Sequence, residues 1–381
     1  MANEIKHILE PYFQRLPELR GSPSLWQEFK CLQAADKDGH FIDANHCERT
    51  NLLISLFYDQ RASDENLLRF LLRQETEMHR HLPLQGVDQS LKISVALLSR
   101  FRNVDNIELL IETKEANFDT RCTLDAISFV SPGVAKSYDH LPNLSAPHRR
   151  VFIDSLGPTA AECRFSEEDA SQWVDNQADI LPAPLEKLSL ENEIYLADLL
   201  GNGPLLNSKI TDWIASIKKW DKETCLALFN YETMRGNVQG RINALKKIGE
   251  YEAEKTLEKQ MNLYHLSGLY LEVKNINEAY KHICASLQNH TESMQWGDFH
   301  LYADRFLDII LASKDRNDPR CVESFRWLKA YLDYQPWMEN WDIRIIPRIM
   351  TASTIVGDND TMKKFSELFR ARKAHSDTSN K

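Results

Sequence analysis

The chain has 381 residues, 43% of them hydrophobic, and a formal net charge of −10, enough length for two domains or one elongated array. The negative balance repels nucleic acid and anionic membrane surfaces, so neither is expected as a partner. No apolar run approaches the ~18 residues that span a bilayer, and the first residues, Met1 to His7, lack the basic-then-apolar pattern of a secretion signal.

Seven cysteines (Cys31, Cys47, Cys122, Cys163, Cys225, Cys284 and Cys321) are scattered and form no Cys-x-x-Cys pair, as expected of reduced thiols in a cytoplasmic protein. Only 13 residues are glycine, about half the usual ~7%. Few left-handed turns, and helix in preference to sheet, are therefore expected.

Helical periodicity recurs from end to end, without alternating strand or Asn-Gly hairpin signals. Residues 64–82 read as a long helix with Leu67, Leu68, Leu71, Leu72 and Met78 on one stripe and Ser63 or Asp64 as cap. Further helices are expected near 88–102, 105–116, 119–129 and 133–141, the last opened by Ser131-Pro132 as N-cap and first-turn proline. Leu156-Gly-Pro158 and Leu181-Pro-Ala-Pro184 interrupt the pattern, because a residue before proline is disfavoured in helix. A bridging helix is expected between them, from Ser166 to Ile180.

After Leu185 the helices come in pairs: 186–200 with 207–218, 221–232 with 238–248, 251–272 with 276–289, 298–313 with 319–333, and 342–355 with 359–373. The last pair turns at Val356-Gly-Asp-Asn-Asp360. Helical hairpins repeating at roughly 34–45 residues predict a solenoid, in which each pair buries its apolar face on the next. One pair carries a more specific pattern: Leu263, Leu266, Ser267 and Tyr270, a turn at Lys274-Asn275, then Ala279 and Ile283. Over about residues 260–291 this resembles a tetratricopeptide unit, in which a large apolar residue precedes Leu, a small residue and Tyr, with Ala at the close approach of the second helix. Ile283 stands where that family usually has an aromatic and Thr291 where it closes on proline. The resemblance implies ligand-facing positions on the first helix, here Met261, Tyr264, Gly268, Leu271 and Glu272. These are largely apolar, so burial by the preceding pair is the competing expectation.

No Walker loop, Gly-x-Gly-x-x-Gly, His-Glu-x-x-His, Gly-x-Ser-x-Gly or zinc-finger spacing is present. Polar residues on apolar stripes remain. At 100° per residue the leucines of 64–82 span an arc of about 140°, with Glu75 near its middle and His79 one turn on. An unpaired buried carboxylate costs several kcal/mol, so Glu75 must find a partner or keep a proton. Lys114 continues the stripe of Ile107, Leu110 and Ile111, and a polar turn with Asn117 and Asp119 follows. Packing of the two helices would bring Glu75, His79, Lys114 and Asp119 together as a catalytic or ligand site. The competing expectation is a Glu–Lys or Glu–Arg link between helices, with Asp119 capping its helix and Asn117 ending the one before. His40, His46 and Cys47 flank Gly39 without a fourth ligand, so no metal site is expected. In the C-terminal half Trp327, Tyr331 and Tyr334 share a helix face, with Phe325, Trp337 and Trp341 nearby. Such a stripe is inter-helix core, or, where exposed, a protein-binding hot spot.

The expected fold is all-α: an N-terminal helical domain at 1–160, a bridging helix and linker at 161–184, an α-solenoid of antiparallel pairs at 185–375 and a disordered tail at 376–381. The expected function is a non-enzymatic cytoplasmic interaction module without cofactor: a scaffold, regulator or immunity-type inhibitor that recognises a protein or peptide. Its partner-binding residues would be Tyr264, Glu272, Trp327, Tyr331, Tyr334 and Trp337, and the acidic surface favours a basic partner. The alternative is an enzyme or small-ligand binder centred on Glu75, His79, Lys114 and Asp119.

Overall fold

The computed structural model describes residues 4–35, 39, 41–81, 86–289, 299–334 and 345–379. The chain divides into two compact units, Met1–Trp213 and Ile214–Lys381. The fold is all-α, with consecutive helices packed in pairs. Among the described residues no helix is long and apolar enough to cross a membrane.

The first unit begins with α1 (Glu4–Gly21), whose Ile5, Leu9, Leu16 and Leu19 are buried at helical spacing. A 3-10 turn, Pro23–Phe29, leads to an antiparallel ribbon of β1 (Gln33–Ala35) and β2 (Phe41–Asp43), in the register Gln33↔Asp43. This ribbon departs from the expectation of no strand. Three residues per strand are too few to carry an alternating signal, and side chains close the ribbon: Asp43 Oδ1 accepts the Leu32 and Asn45 amides at 2.9 and 3.0 Å. Next come α2 (His46–Tyr58), α3 (Glu65–His81) and α4 (Gln89–Ser99). Arg49 through Phe57 are all buried in α2 and most of Ser90 through Ser99 in α4, making these two helices the centre of the unit.

The next part of the unit is built from shorter pieces: α5 (Ile107–Lys114), α6 (Phe118–Thr123), α7 (Val134–His140), α8 (Ala146–Leu156) and α9 (Glu167–Asn176). The helix expected at 119–129 is broken into α6 and a 3-10 turn, Ala126–Val130, because Leu124 is extended and the Asp125 side chain caps the turn at the Ile127 amide. Gly133, at φ 114°, precedes α7 in place of the expected Ser131 cap. The Glu167 carboxylate takes up the first amides of α7, those of Val134 and Ala135, at 2.8 and 2.7 Å.

The break at Leu156-Gly-Pro158 ends α8, but the first compact unit continues beyond it. Three bonds tie the segment after α9 back to earlier helices: Arg100 to the Gln177 carbonyl, Tyr58 to the Pro182 carbonyl and Lys6 to Glu186. α10 (Leu190–Leu199) follows, and the unit ends within α11 (Gly203–Ser216).

Among the described residues the second unit contains four pairs: α12 (Lys222–Met234) with α13 (Val238–Glu250), α14 (Leu257–Glu272) with α15 (Ile276–Gln288), α16 (Phe299–Ser313) with α17 (Pro319–Tyr334), and α18 (Ile346–Val356) with α19 (Asn359–Ser379). Each pair also packs on the next, which makes the unit solenoid-like. α16 shows how this works. Tyr302, Phe306 and Ile309 enter one core with α14 and α15, whereas Ala303, Leu307 and Ile310 enter a second with α17 and α18. One helix thus has two apolar faces, each following the 3.6-residue period. α19 runs to Ser379, through most of the segment expected as a tail.

The scarcity of glycine does not spare the fold left-handed turns. Lys255, Lys274 and Lys314 take positive φ of 61°, 58° and 54° between helices, and Arg102 does so at 50°. Asn275 follows Lys274 and caps α15 through the Glu278 amide at 3.2 Å. All seven cysteines are free thiols.

Two stability effects follow from these ends. Gly157 closes α8 at φ 116°, and a Cβ there would lie 2.5 Å from the main-chain oxygen of Glu162. Gly157→Ala is expected to cost about 2–3 kcal/mol, read as a thermal midpoint lower by roughly 5–10 °C. Asp318 precedes α17, is bonded by the Arg320 side chain at 2.6 and 2.7 Å, and its carboxyl is lowered from 3.8 to about 2 by that hydrogen bond. A depressed folded value stabilises above the unfolded value and loses that effect as pH falls through the folded one. Acid titration of stability should therefore show about 2 kcal/mol disappearing between roughly pH 5 and pH 2, a slope that Asp318→Asn removes.

Candidate functional site

A cavity of about 510 Å³ opens in the second unit against α14. Its walls are Phe229 from α12, Arg241 from α13, His265, Gly268, Leu269, Leu271 and Glu272 from α14, and Arg305 and Asp308 from α16. The helical pairing sets this arrangement. Leu266, Ser267 and Tyr270 turn inward toward α15, and Ser267 donates to the Ala279 carbonyl at 2.8 Å across the closest part of the pair. The opposite side of α14, at His265, Gly268 and Glu272, is left to the cavity.

Gly268 makes the floor. A Cβ on it would stand 2.8 and 2.9 Å from the Arg305 terminal nitrogens, so only glycine lets the guanidinium lie against the helix backbone. The same guanidinium lies 4.8 Å from the centroid of the Tyr264 ring. Arg305 is thereby held flat and four-fifths buried, yet among the described residues its only carboxylate contact is Asp308 at 3.6 Å, and its buried Nε has no hydrogen-bond partner there. Across the cavity Arg241 donates Nη2 to Glu272 at 2.6 Å, while its own Nε is also buried without a partner. Asp308 is shared with Arg348 from α18. The cavity walls and the Arg305 charge hold the His265 imidazole below its ordinary value, so it adds a neutral ring at neutral pH. Two positioned guanidinia with unused N–H groups, beside two carboxylates and a leucine wall, can bind a polar chain segment. They offer no nucleophile and base in contact.

The resemblance named three of these wall residues, Gly268, Leu271 and Glu272. Tyr264 lies beneath Arg305 and half buried, outside the wall. Arg241, His265, Arg305 and Asp308 were missed. An available signal was Gly268 itself, since glycine inside a helix costs about 0.5–1 kcal/mol and implies a close approach. Trp327 is 45% exposed and stacks on Phe306 at a 6.0 Å centroid distance, so that part of the aromatic stripe is at the surface. Phe325 is buried, Tyr331 packs at the edge of the second core, and the Tyr334 side chain, Trp337 and Trp341 lie outside the described residues.

In the first unit Glu75, His79, Lys114 and Asp119 each have a separate engagement. Glu75 is fully buried, accepting Arg49 Nε at 2.7 Å and the Ser90 hydroxyl at 2.6 Å. Arg49, equally buried, also donates to Asp43 at 2.6 Å. Burial pushes the Asp43 carboxyl up, but the Arg49 bond and the Leu32 and Asn45 amides bring it below its ordinary value. The link is thus Glu–Arg, made to α2, and Lys114 takes no part. Lys114 donates instead to the Arg121 and Leu124 carbonyls at the end of α6, and burial lowers its pKa.

His79 bonds the Glu75 carbonyl, not its carboxylate, at 2.9 Å, and accepts the Asp88 amide on Nε2 at 3.2 Å. A carbonyl only accepts, so Nδ1 carries the proton. Asp119 accepts the Gly86 amide at 2.7 Å. The cap of α6 is Asn117, which accepts the Thr120 amide at 2.8 Å and donates to the His79 carbonyl at 2.8 Å. It therefore both starts α6 and satisfies the end of α3. His46 Nδ1 stands 3.9 Å from Glu75, Cys47 is exposed, and His40 lies outside the described residues. Among the described residues no three His, Cys, Asp or Glu side chains are grouped to hold a metal ion.

Removing one member of the buried Glu75–Arg49 pair strands the other, whereas removing the Lys114 ammonium takes the donor from the Arg121 and Leu124 carbonyls. Glu75→Gln is expected to lower unfolding free energy by about 3–5 kcal/mol, and Lys114→Met by about 1–3 kcal/mol, both read from urea denaturation midpoints. Unchanged midpoints with a lost biological activity would instead assign these residues to function.

In comparison with known proteins, the chain matches no family model, and neither a curated protein nor a solved structure matches it significantly.

Proposed function

We propose that the protein is a non-enzymatic interaction module of tetratricopeptide-like helical pairs, acting as a scaffold, regulator or inhibitor. It holds an extended protein segment in the α14 cavity. The observation that carries this is Arg305: a guanidinium seated on Gly268 and Tyr264 and bearing no hydrogen bond among the described residues. Ordering a long side chain costs roughly 1.5–2 kcal/mol of rotamer entropy. Arg305 has met that cost before any ligand arrives, which is preorganisation for binding.

The neighbouring groups supply a pattern to read. Arg241 and Arg305 suit an acidic side chain or main-chain carbonyls, Glu272 and Asp308 suit a basic or amide neighbour, and Leu271 an apolar one. The chain's net charge of −10 favours a partner that is basic overall, through steering of the encounter. The segment would thus be a mixed-charge stretch on a basic protein, and the cytoplasm is the compartment suited to the seven free thiols.

An array of synthetic peptides probed with the purified chain tests this, with Arg305→Gln and Gly268→Ala as controls. Wild-type protein should retain a mixed-charge subset, and Arg305→Gln should weaken that retention about tenfold or more. Gly268→Ala should displace Arg305 and weaken binding similarly. It should move the melting midpoint by no more than about 4 °C, since better helix propensity offsets the lost ring contact. Retention indifferent to both substitutions would sink the assignment of this cavity.

A further inference from the structure

The first unit contains a second cavity, of about 600 Å³, between the start of α1, the end of α2, the end of α4 and the segment around Pro184. Phe13, Phe57 and Tyr58 form an aromatic wall, and Arg100 stands beside them with its guanidinium carbon 4.7 Å from the Phe57 ring centroid. The partners of Arg100 are all neutral: Nη1 donates to the Gln60 amide oxygen at 3.1 Å and Nη2 to the Gln177 carbonyl at 2.6 Å. Two of its five N–H groups are thereby used, and among the described residues no carboxylate neutralises it. Burial lowers its pKa without an opposing charge. The two carboxylates at this cavity have other partners, Glu186 with Lys6 at 3.1 Å and Glu10 with Gln14 at 3.1 Å.

A half-buried cation without a counter-ion is unusual, because it costs desolvation energy that an ion pair would offset. Arg49 in the same unit follows the usual rule, with carboxylates on two sides. The fold fixes the Arg100 guanidinium over a ring and leaves its charge for something that enters. The volume lies within the roughly 300–1,000 Å³ of small-molecule sites, which combine apolar walls with a few placed polar groups.

We propose that this cavity binds a small aromatic carboxylic acid, its carboxylate on Arg100 and its ring against Phe13, Phe57 and Tyr58. This does not rest on the peptide cavity of the second unit. Calorimetric titration of the full chain with phenylacetate, 3-phenylpropionate and indole-3-acetate tests it, with benzyl alcohol and inorganic phosphate as the uncharged and non-aromatic comparisons. At least one acid should bind saturably at one site, about tenfold or more tighter than benzyl alcohol, and phosphate should not compete. Arg100→Gln should reduce the affinity at least about tenfold. Because Arg100 also ties two segments together, Phe13→Ala is the second variant. It removes a half-buried wall residue and should weaken the acid severalfold while the melting midpoint shifts by only a few degrees. Saturation by none of the three acids, equal binding of benzyl alcohol, displacement by phosphate, or affinity unchanged in the Phe13 variant would each overturn the proposal.

Discussion

The second unit depends on one constraint, the distance at which other elements can approach α14. Ser267 and Gly268 are adjacent small residues, about 100° apart around the helix. Ser267 faces α15 and lets that helix close in until its hydroxyl reaches the Ala279 carbonyl, at a point where Ala279 is also fully buried. Gly268 faces away and lets the Arg305 guanidinium settle on the backbone. A larger residue at the first position would push the pair apart. A larger one at the second would leave the pair intact and fill the cavity. Helix packing and the seat of Arg305 thus fall to neighbouring residues on one helix, which is why they can be perturbed separately.

The first unit is organised differently, around charge. Arg49 is wholly inside, so the elements around it are those that can neutralise or hydrogen-bond it: Asp43 at the end of β2, Glu75 on α3 and the Phe29 carbonyl at the end of the 3-10 turn. Ser90 on α4 then satisfies the second oxygen of Glu75. The guanidinium thus holds three segments directly, and through Glu75 a fourth. Replacing such a network by apolar residues can be neutral or better for stability, so its energetic merit lies in the unique arrangement it enforces.

The helical pairs of the second unit were legible in the sequence because their apolar residues recur at helical spacing and capping residues mark turns such as Lys274-Asn275 and Gly357-Asp358. Glu75 was legible as a carboxylate in need of a partner, since its own helix has a clean stripe against which it stands out. Arg49 was not, because α2 is buried on every side and has no polar face to set a period. The ribbon at Gln33–Asp43 was hidden for a related reason: it is held by Asp43 and Asn45 side chains, and its strands have no alternation of their own. Of the α14 cavity, the repeat pattern named Gly268, Leu271 and Glu272 but neither His265 nor Leu269 on the same helix. Arg241 and Arg305 come from other helices, and their meeting depends on the stacking angle between pairs, which no local pattern encodes.

Three arginines differ in how far the fold compensates their charge. Among the described residues, Arg49 is buried with carboxylates on two sides, Arg305 has a single distant one, and Arg100 has none. A buried guanidinium with full electrostatic compensation has nothing left to offer a ligand, whatever its surroundings. One that is held rigidly by rings and backbone, but not compensated, has its orientation settled and its charge still unmet. Both such cases here lie at cavities with aromatic support, Tyr264 under Arg305 and Phe57 under Arg100. The ring supplies a weak attraction and a flat seat without neutralising the charge, the combination by which a folded chain can keep a cation positioned for an anion it does not itself contain.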